Sequence, residues 1–197
     1  MHDRVKAGKW GPGMPPFLRL AGKTVGFVGL GNIGKAVCQR TNALGMKAIV
    51  YDPYISDEAL KEYDAEKADL DTLLESADFV SLHLPLNDST RHMFGKKLFT
   101  KMKKSAILIN TSRGAIINEK ELIEALEEGL IAGVGLDVFE NENSPVDERL
   151  INAKNAVLTP HVAWNTDVAV TAIHEEVGDN IVRYLKGDRP NSIVNKL

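Results

Sequence analysis

Cysteine is nearly absent: Cys38 is the single one in 197 residues. That excludes an intrachain disulfide and any cysteine-built metal centre. Cys38 falls in the first strong helical pattern, so a buried, inert thiol is expected there. No apolar run approaches the roughly 18 residues that suggest a membrane span. The start, Met1-His2-Asp3-Arg4-Val5-Lys6, has no apolar core of the kind a signal peptide needs. A soluble, cytoplasmic protein with no membrane partner is therefore expected. Strong charge of one sign is missing too. A formal net charge of −3 leaves no broad basic field to hold a nucleic-acid backbone. The local cluster Lys96, Lys97, Lys101, Lys103 and Lys104 reads as a solvated helix face, with no nucleic-acid partner expected. No short-period repeat and no low-complexity tract is present.

What is present fits an ordinary globular chain, with 44% hydrophobic and 26% charged residues. The length suits one domain with a small appendage. Residues 1–20 read as a lead-in, with Gly11, Pro12, Gly13, Pro15 and Pro16 breaking any regular element. Short β-rich runs follow at 24–30, 47–52, 79–84, 106–111, 133–139 and 156–159. They are mostly continuous rather than alternating, as in a parallel sheet covered on both faces. Helical patterns lie between and after them, at 33–44, 57–63, 69–76, 119–128 and 167–186. Glu119, Leu122, Ile123, Leu126 and Leu130 show the helical spacing, with Gly129 as a stop. This alternation predicts an α/β fold, a doubly wound parallel sheet, over residues 21–165, followed by a C-terminal helix and tail at 166–197.

Gly29-Leu30-Gly31-Asn32-Ile33-Gly34 is a G-x-G-x-x-G match that directly follows the apolar run at 24–28 and opens a helical pattern. In that setting Gly29 permits a tight turn, Gly31 lets a pyrophosphate approach the backbone, and Gly34 lets helix and strand pack closely. The free N–H groups of the helix start then face the phosphates. The second run ends in Tyr51-Asp52-Pro53, roughly 20 residues beyond the loop, where a carboxylate accepts hydrogen bonds from ribose hydroxyls. Asp52 would repel a 2′-phosphate and no arginine follows at once, so NAD is expected over NADP. The plainer alternative makes Asp52 a turn residue before Pro53. Further along, strand tips deliver Arg113, then Glu140 and Glu142, then His161 to the edge where doubly wound sheets bind ligands.

Five blocks, in order, resemble the D-isomer-specific 2-hydroxyacid dehydrogenases. They are Val25-Gly26-Phe27-Val28-Gly29-Leu30-Gly31-Asn32-Ile33-Gly34, His83-Leu84-Pro85-Leu86, Asn110-Thr111-Ser112-Arg113-Gly114, Gly135-Leu136-Asp137-Val138-Phe139 and Thr159-Pro160-His161-Val162-Ala163. The resemblance implies an NAD-dependent oxidoreductase of the Rossmann type acting on a small 2-hydroxy or 2-oxo acid. Arg113 would bind the substrate carboxylate and polarise the 2-oxo group. His161 would be the acid in reduction and the base in oxidation. Glu142 would orient the imidazole, with Glu140 as the fallback because Asn143 stands where the family usually has proline. Asn32 and Ile33 would lie over the pyrophosphate, Leu84, Pro85 and Thr90 near the adenosine, and Thr111, Asp137 and His161 at the nicotinamide. His83 would belong to the cofactor side rather than to catalysis. No metal is implied.

The family pairs a cofactor domain with a substrate domain. Lys6-Ala7-Gly8-Lys9-Trp10 resembles the stretch just before the cofactor domain, so the substrate domain is expected to be largely absent from this chain. The last helix would pack on that domain, and a homodimer through the cofactor domain is expected. Glu142 speaks against the formate dehydrogenases, which pair their histidine with glutamine. Trp164 leans toward the glycerate or hydroxypyruvate branch. A stand-alone NAD-binding regulatory or interaction domain without turnover is the competing function class.

Overall fold

All six expected apolar runs become strands of one sheet, and a short seventh joins them. The structure is a computed structural model that describes residues 2–9 and 17–193. Trp10, the break at residues 11–16 and the tail residues Val194 and Asn195 lie outside the described residues. Strands β1 (Thr24–Val28), β2 (Lys47–Tyr51), β3 (Ala65–Lys67), β4 (Phe79–Leu82), β5 (Ile107–Asn110), β6 (Gly133–Leu136) and β7 (Ala156–Leu158) lie in the order β3-β2-β1-β4-β5-β6-β7. Every neighbouring pair is parallel. The order runs outward from β1 in both directions, so the crevice at the switch point opens between the carboxyl ends of β1 and β4. The expected doubly wound parallel sheet is present.

The helices are α1 (His2–Lys6), α2 (Asn32–Ala43), α3 (Asp57–Glu62), α4 (Leu70–Ser76), α5 (Lys96–Phe99), α6 (Glu119–Glu127), α7 (Glu148–Ile151) and α8 (Ala169–Leu185), with a 3₁₀ turn at Gly114–Ile116. Their starts follow local chemistry. Ser56 accepts from the Ala59 N–H, Asp69 from Thr72 and Asn118 from Glu121, each capping an orphan donor of the first turn. On α6, Leu122, Ile123 and Ala125 are buried, as the stripe of apolar residues required.

The two faces of the sheet carry separate cores. Val25, Phe27, Ala48 and Val50 join Leu30, Cys38 and Leu60 on the side of α2 and α3. Val28, Val80, Leu82 and Leu108 join Leu73, Phe99, Ile116 and Leu122 on the other. Burying both faces is what makes the strands read as continuous apolar runs. At Gly26 an added Cβ would stand 2.5 Å from Leu73 Cδ2, so this glycine admits α4 against β1. Cys38 is buried and free, and burial pushes its thiol above the ordinary range.

Several expectations need correction. The lead-in contains a helix, α1, because the glycine and proline breakers begin only after it. Three apolar runs, at 24–30, 79–84 and 133–139, pass the ends of their strands by two or three residues. Leu30 and Val138 are buried although the ladder has ended, because they anchor the loops that leave the sheet. Strand β3 has no counterpart among the expected runs; it is Ala-Glu-Lys on the sheet edge, with Glu66 and Lys67 exposed. Helices α5 and α7 span four residues each, too short to show a period. The lysine cluster is largely paired, Lys96 with Glu128, Lys101 with Asp71 and Lys103 with Asp78. No helix among the described residues is long and apolar enough to cross a membrane. Helix α8 has no buried residue, and Val170, Ile173, Val177, Ile181 and Tyr184 leave an apolar stripe exposed along it.

Candidate active site

The glycine loop leaves β1 at the switch point. Gly29 has φ +88°, where a side chain is strained, and an added Cβ would also meet the His83 carbonyl oxygen at 2.8 Å. At Gly34 an added Cβ would stand 2.9 Å from the Gly29 carbonyl oxygen, inside the turn of the loop itself. Gly31 differs from both. A Cβ there would meet nothing within 4 Å, so its lack of a side chain serves what comes from outside. The first helical bond of α2 runs from the Lys35 N–H to the Gly31 carbonyl at 2.9 Å, and no side chain caps the turn. The helix start therefore offers its N–H groups and positive dipole end to an anion.

Asp52 sits at the tip of β2 and ties the loop down. One carboxylate oxygen accepts from the Leu30 N–H and the other from the Tyr54 N–H, both at 2.9 Å. An ionised carboxylate can accept about four hydrogen bonds, so capacity remains for ribose hydroxyls. A shallow hollow of about 530 Å³ opens beside it, between Tyr51, Pro53, Lys67 and Asp69.

A larger cleft of about 650 Å³ spans the switch point. It brings together Gly31, Asn32, Ile33 and Gly34 with Leu84, Pro85, Thr111 and Arg113, from the loops after β1, β4 and β5. Ile33 is 66% exposed at its rim, an apolar side chain held out where a ligand would cover it. Leu86 and Ser112 also line the cleft. Both stand in the matched blocks, but the resemblance gives neither a role of its own. His83 forms part of the wall, stacked on Phe27 with ring centroids 5.9 Å apart and bonded through Nε2 to Ser81 Oγ at 2.9 Å. Burial pulls its imidazole down to about 4, so it is neutral near pH 7.

Thr90 is bonded within its own loop. Its hydroxyl donates to the Pro85 carbonyl at 2.7 Å and accepts from the Asn87 N–H at 2.9 Å, behind the cleft wall. It shapes the loop that bears Leu84 and Pro85, and does not line the cleft. Arg113 is held forward by Asn110, fully buried at the end of β5. Asn110 Oδ1 accepts from both the N–H and hydroxyl of Ser112, at 3.0 and 2.7 Å, and Nδ2 donates to the Arg113 carbonyl at 2.9 Å. The guanidinium bonds only the Ser112 carbonyl at 2.6 Å and pairs with no acid among the described residues. It remains available to an anionic ligand.

Asp137, 3% exposed at the end of β6, organises the loop after β7. One oxygen accepts from the Thr159 hydroxyl at 2.5 Å and the Val162 N–H at 3.0 Å; the other accepts from the Ala163 N–H at 2.9 Å. Burial alone would raise its pKa. The hydrogen bonds and the nearby His161 outweigh that and hold it below the usual carboxylate range. Two expected site residues, Asp137 and His161, thus meet through the backbone. His161 has φ +53°, and its N–H donates to the Asp137 carbonyl at 2.7 Å. Trp164 Nε1 donates to the His161 carbonyl at 3.0 Å, which closes the turn. A histidine in the left-handed region persists only where its surroundings impose it.

His161 Nδ1 lies 2.9 Å from Glu142 Oε2, with both side chains 43% exposed. A pair that open to water contributes only about 0–1 kcal/mol to stability, so its value is orientation. If Glu142 accepts the Nδ1 proton, Nε2 is left as the free ring atom. Glu140, the fallback partner, is turned away toward His92 at 2.7 Å. The turn keeps its register without proline because Asn141 accepts from the Asn143 N–H at 3.2 Å and bonds Ser144 Oγ at 2.8 Å.

Comparison with known proteins places these features in a family. Residues 1–163 match the profile of the D-isomer specific 2-hydroxyacid dehydrogenase, NAD binding domain. A glyoxylate reductase of Thermococcus litoralis is 47% identical over 199 residues, covering 98% of this chain and 60% of that protein. A glyoxylate reductase of Korarchaeum cryptofilum is 42% identical over 196 residues, covering 98% of this chain and 59% of its own length. A D-lactate dehydrogenase of Lactobacillus jensenii, solved with NAD+, superposes with a TM-score of 0.86 at 35% identity over 99% of this chain and 62% of that one. The chain thus spans about 60% of the length of these two reductases. It belongs to the D-isomer-specific 2-hydroxyacid dehydrogenase family and carries the NAD-binding domain of that family.

Proposed function

We propose that this chain provides the NAD site and the proton-transferring group of a dehydrogenase that interconverts small 2-oxo acids and D-2-hydroxy acids. The observation that carries this reading is the Glu142–His161 pair at 2.9 Å. It stands on the same sheet edge as the anion-ready glycine loop and the acid-free Arg113. A nicotinamide cofactor held here would supply the hydride taken up at the substrate C2. The N–H groups at the start of α2 hold its pyrophosphate, with Gly31 leaving the space, and Asp52 accepts from the adenosine ribose. Arg113 binds the substrate carboxylate and draws electron density from the 2-oxo group. Glu142 keeps the Nδ1 proton in place, so Nε2 of protonated His161 gives its proton to the carbonyl oxygen. In the oxidative direction the same nitrogen takes the hydroxyl proton back. Strands β5 and β7 are two steps apart in the sheet, roughly 10 Å, which leaves room for a small acid between the loops bearing Arg113 and His161.

Helix α8, with its exposed apolar stripe, would dock on the remainder of the enzyme. The chain alone is therefore expected to bind NAD and to turn over poorly, because half of the cleft that excludes water lies outside it. Calorimetric titration with NAD and NADH tests the first part. NADH oxidation with glyoxylate, hydroxypyruvate and pyruvate, by this chain and by a longer protein containing it, tests the second. Absence of NAD binding refutes the reading, and so does a longer protein with no 2-oxo acid reductase activity.

A further inference from the structure

Glu142 reaches His161 from an exposed turn, residues 140–145, that no core packing holds. Within that turn the hydrogen bonds of Asn141, Asn143 and Ser144 are local. Before Glu142, the last residue tied to another element is Glu140, and it is tied three times. Its Oε1 lies 2.7 Å from His92 Nε2. Its Oε2 accepts the N–H of Glu119, the first residue of α6, at 3.0 Å. Its own N–H donates to Glu119 Oε2 at 3.1 Å. His92 is fixed in turn: its backbone has φ +52°, and its N–H donates to the Ala115 carbonyl at 2.8 Å. Just beside this junction the chain is in close contact, since a Cβ at Gly114 would stand 1.9 Å from the Phe139 carbonyl oxygen. Three loops, after β4, β5 and β6, are fastened together immediately behind Glu142.

We infer that Glu140, clamped by His92 and by the Glu119 N–H, is a positioning residue that aims Glu142 at His161. It touches neither cleft nor imidazole. The His92–Glu140 pair is 41% and 33% exposed, so it adds at most about 1 kcal/mol to overall stability. What it adds is direction. Glu140 is the carboxylate that pairs with His92, while that of Glu119 accepts from the Glu140 N–H. The inference rests on the reading of Glu142–His161 given above.

Ring ¹⁵N spectra of His161 in this chain, recorded where its imidazole is neutral, test it. With Glu142 in place the Nδ1–H form is held; Glu142→Ala releases it toward the Nε2–H form. Glu140→Ala and His92→Leu are expected to move the His161 signals most of the way toward those of Glu142→Ala, with the melting temperature little changed. Glu140→Gln, which keeps an acceptor oxygen, should recover part of the loss. In a longer, active protein Glu140→Ala should lower kcat more than it raises KM. Wild-type His161 signals in Glu140→Ala, beside displaced ones in Glu142→Ala, overturn the inference alone. Unchanged signals in Glu142→Ala overturn the Glu142–His161 pair and the inference with it.

Discussion

Alanine at Gly31 separates what the glycine loop does for the fold from what it does for a ligand. Gly31 has φ −71° and ψ −166°, which any residue adopts, and a Cβ there meets no atom within 4 Å. The folded chain should accept Gly31→Ala within about 0.5 kcal/mol, as at other sites free of contacts. For a chain of this size that is less than about 2 °C in melting temperature. Gly31 lines the cleft, and on the reading proposed above the methyl would stand where the pyrophosphate approaches the backbone. Overpacking costs about 1–3 kcal/mol, and here the cost falls on binding, giving roughly 5- to 150-fold weaker NAD. Gly34→Ala is the internal contrast. Its Cβ would stand 2.9 Å from the Gly29 carbonyl oxygen, so a cost of similar size falls on the fold, about 2–12 °C. Thermal melts and calorimetric NAD titrations of the two variants are the measurement. The reasoning is refuted if Gly31→Ala binds NAD like wild type, or if it loses as much melting temperature as Gly34→Ala.

Other perturbations test the neighbouring loops. Asp137→Asn replaces an oxygen that accepts from the Val162 or Ala163 N–H by an NH₂ group; about 1–3 kcal/mol is expected in urea unfolding. Its folded pKa lies below the unfolded value near 3.9, so the carboxylate's stabilisation is present above about pH 4 and is lost as pH falls through the folded value. The variant should show a shallower acid limb. His83 has the opposite charge type and shifts from 6.5 to about 4. Between those pH values the unfolded chain holds a proton that the folded one does not, so stability rises with pH by up to about 3 kcal/mol. His83→Phe, which can keep the stack on Phe27, should remove that slope in denaturation curves between pH 4 and 6.5. Arg113→Lys keeps the charge but not the planar fork; in a longer, active protein 2-oxo acid reduction should fall at least tenfold while NAD affinity stays unchanged.

The sheet was readable because the strands are buried on both faces and their composition does not compete with a helical reading. Leu108 and Ile109 face opposite sides, yet both belong to one unbroken apolar run. The overshoots have the same origin. Leu30 and Val138 are as buried as any strand residue, so hydropathy cannot show where the ladder stops. Strand β3 was hidden for the converse reason, since its ladder bonds to β2 are made by Ala65, Glu66 and Lys67, two of them charged. Backbone hydrogen bonding, which defines it, leaves no mark in side-chain type.

Residue types at the site were legible, but their partners were not. Asp137 and Glu140 bond backbone N–H groups of distant segments, Val162 and Ala163 in the first case and Glu119 in the second. Such bonds depend on where loops pass in space and not on what their sequences say. The spacing around Glu142 therefore left two candidates, and the choice between them was made by His92, 48 residues upstream of Glu140. With one oxygen on His92 and the other on the Glu119 N–H, Glu140 would have to break these bonds to turn toward His161. Glu142 is then the carboxylate left facing the imidazole. The pairing seen at His161 thus goes with the bonds that hold Glu140 away from it, and an Asn at position 143 in place of proline fits a turn closed by the local bonds of Asn141.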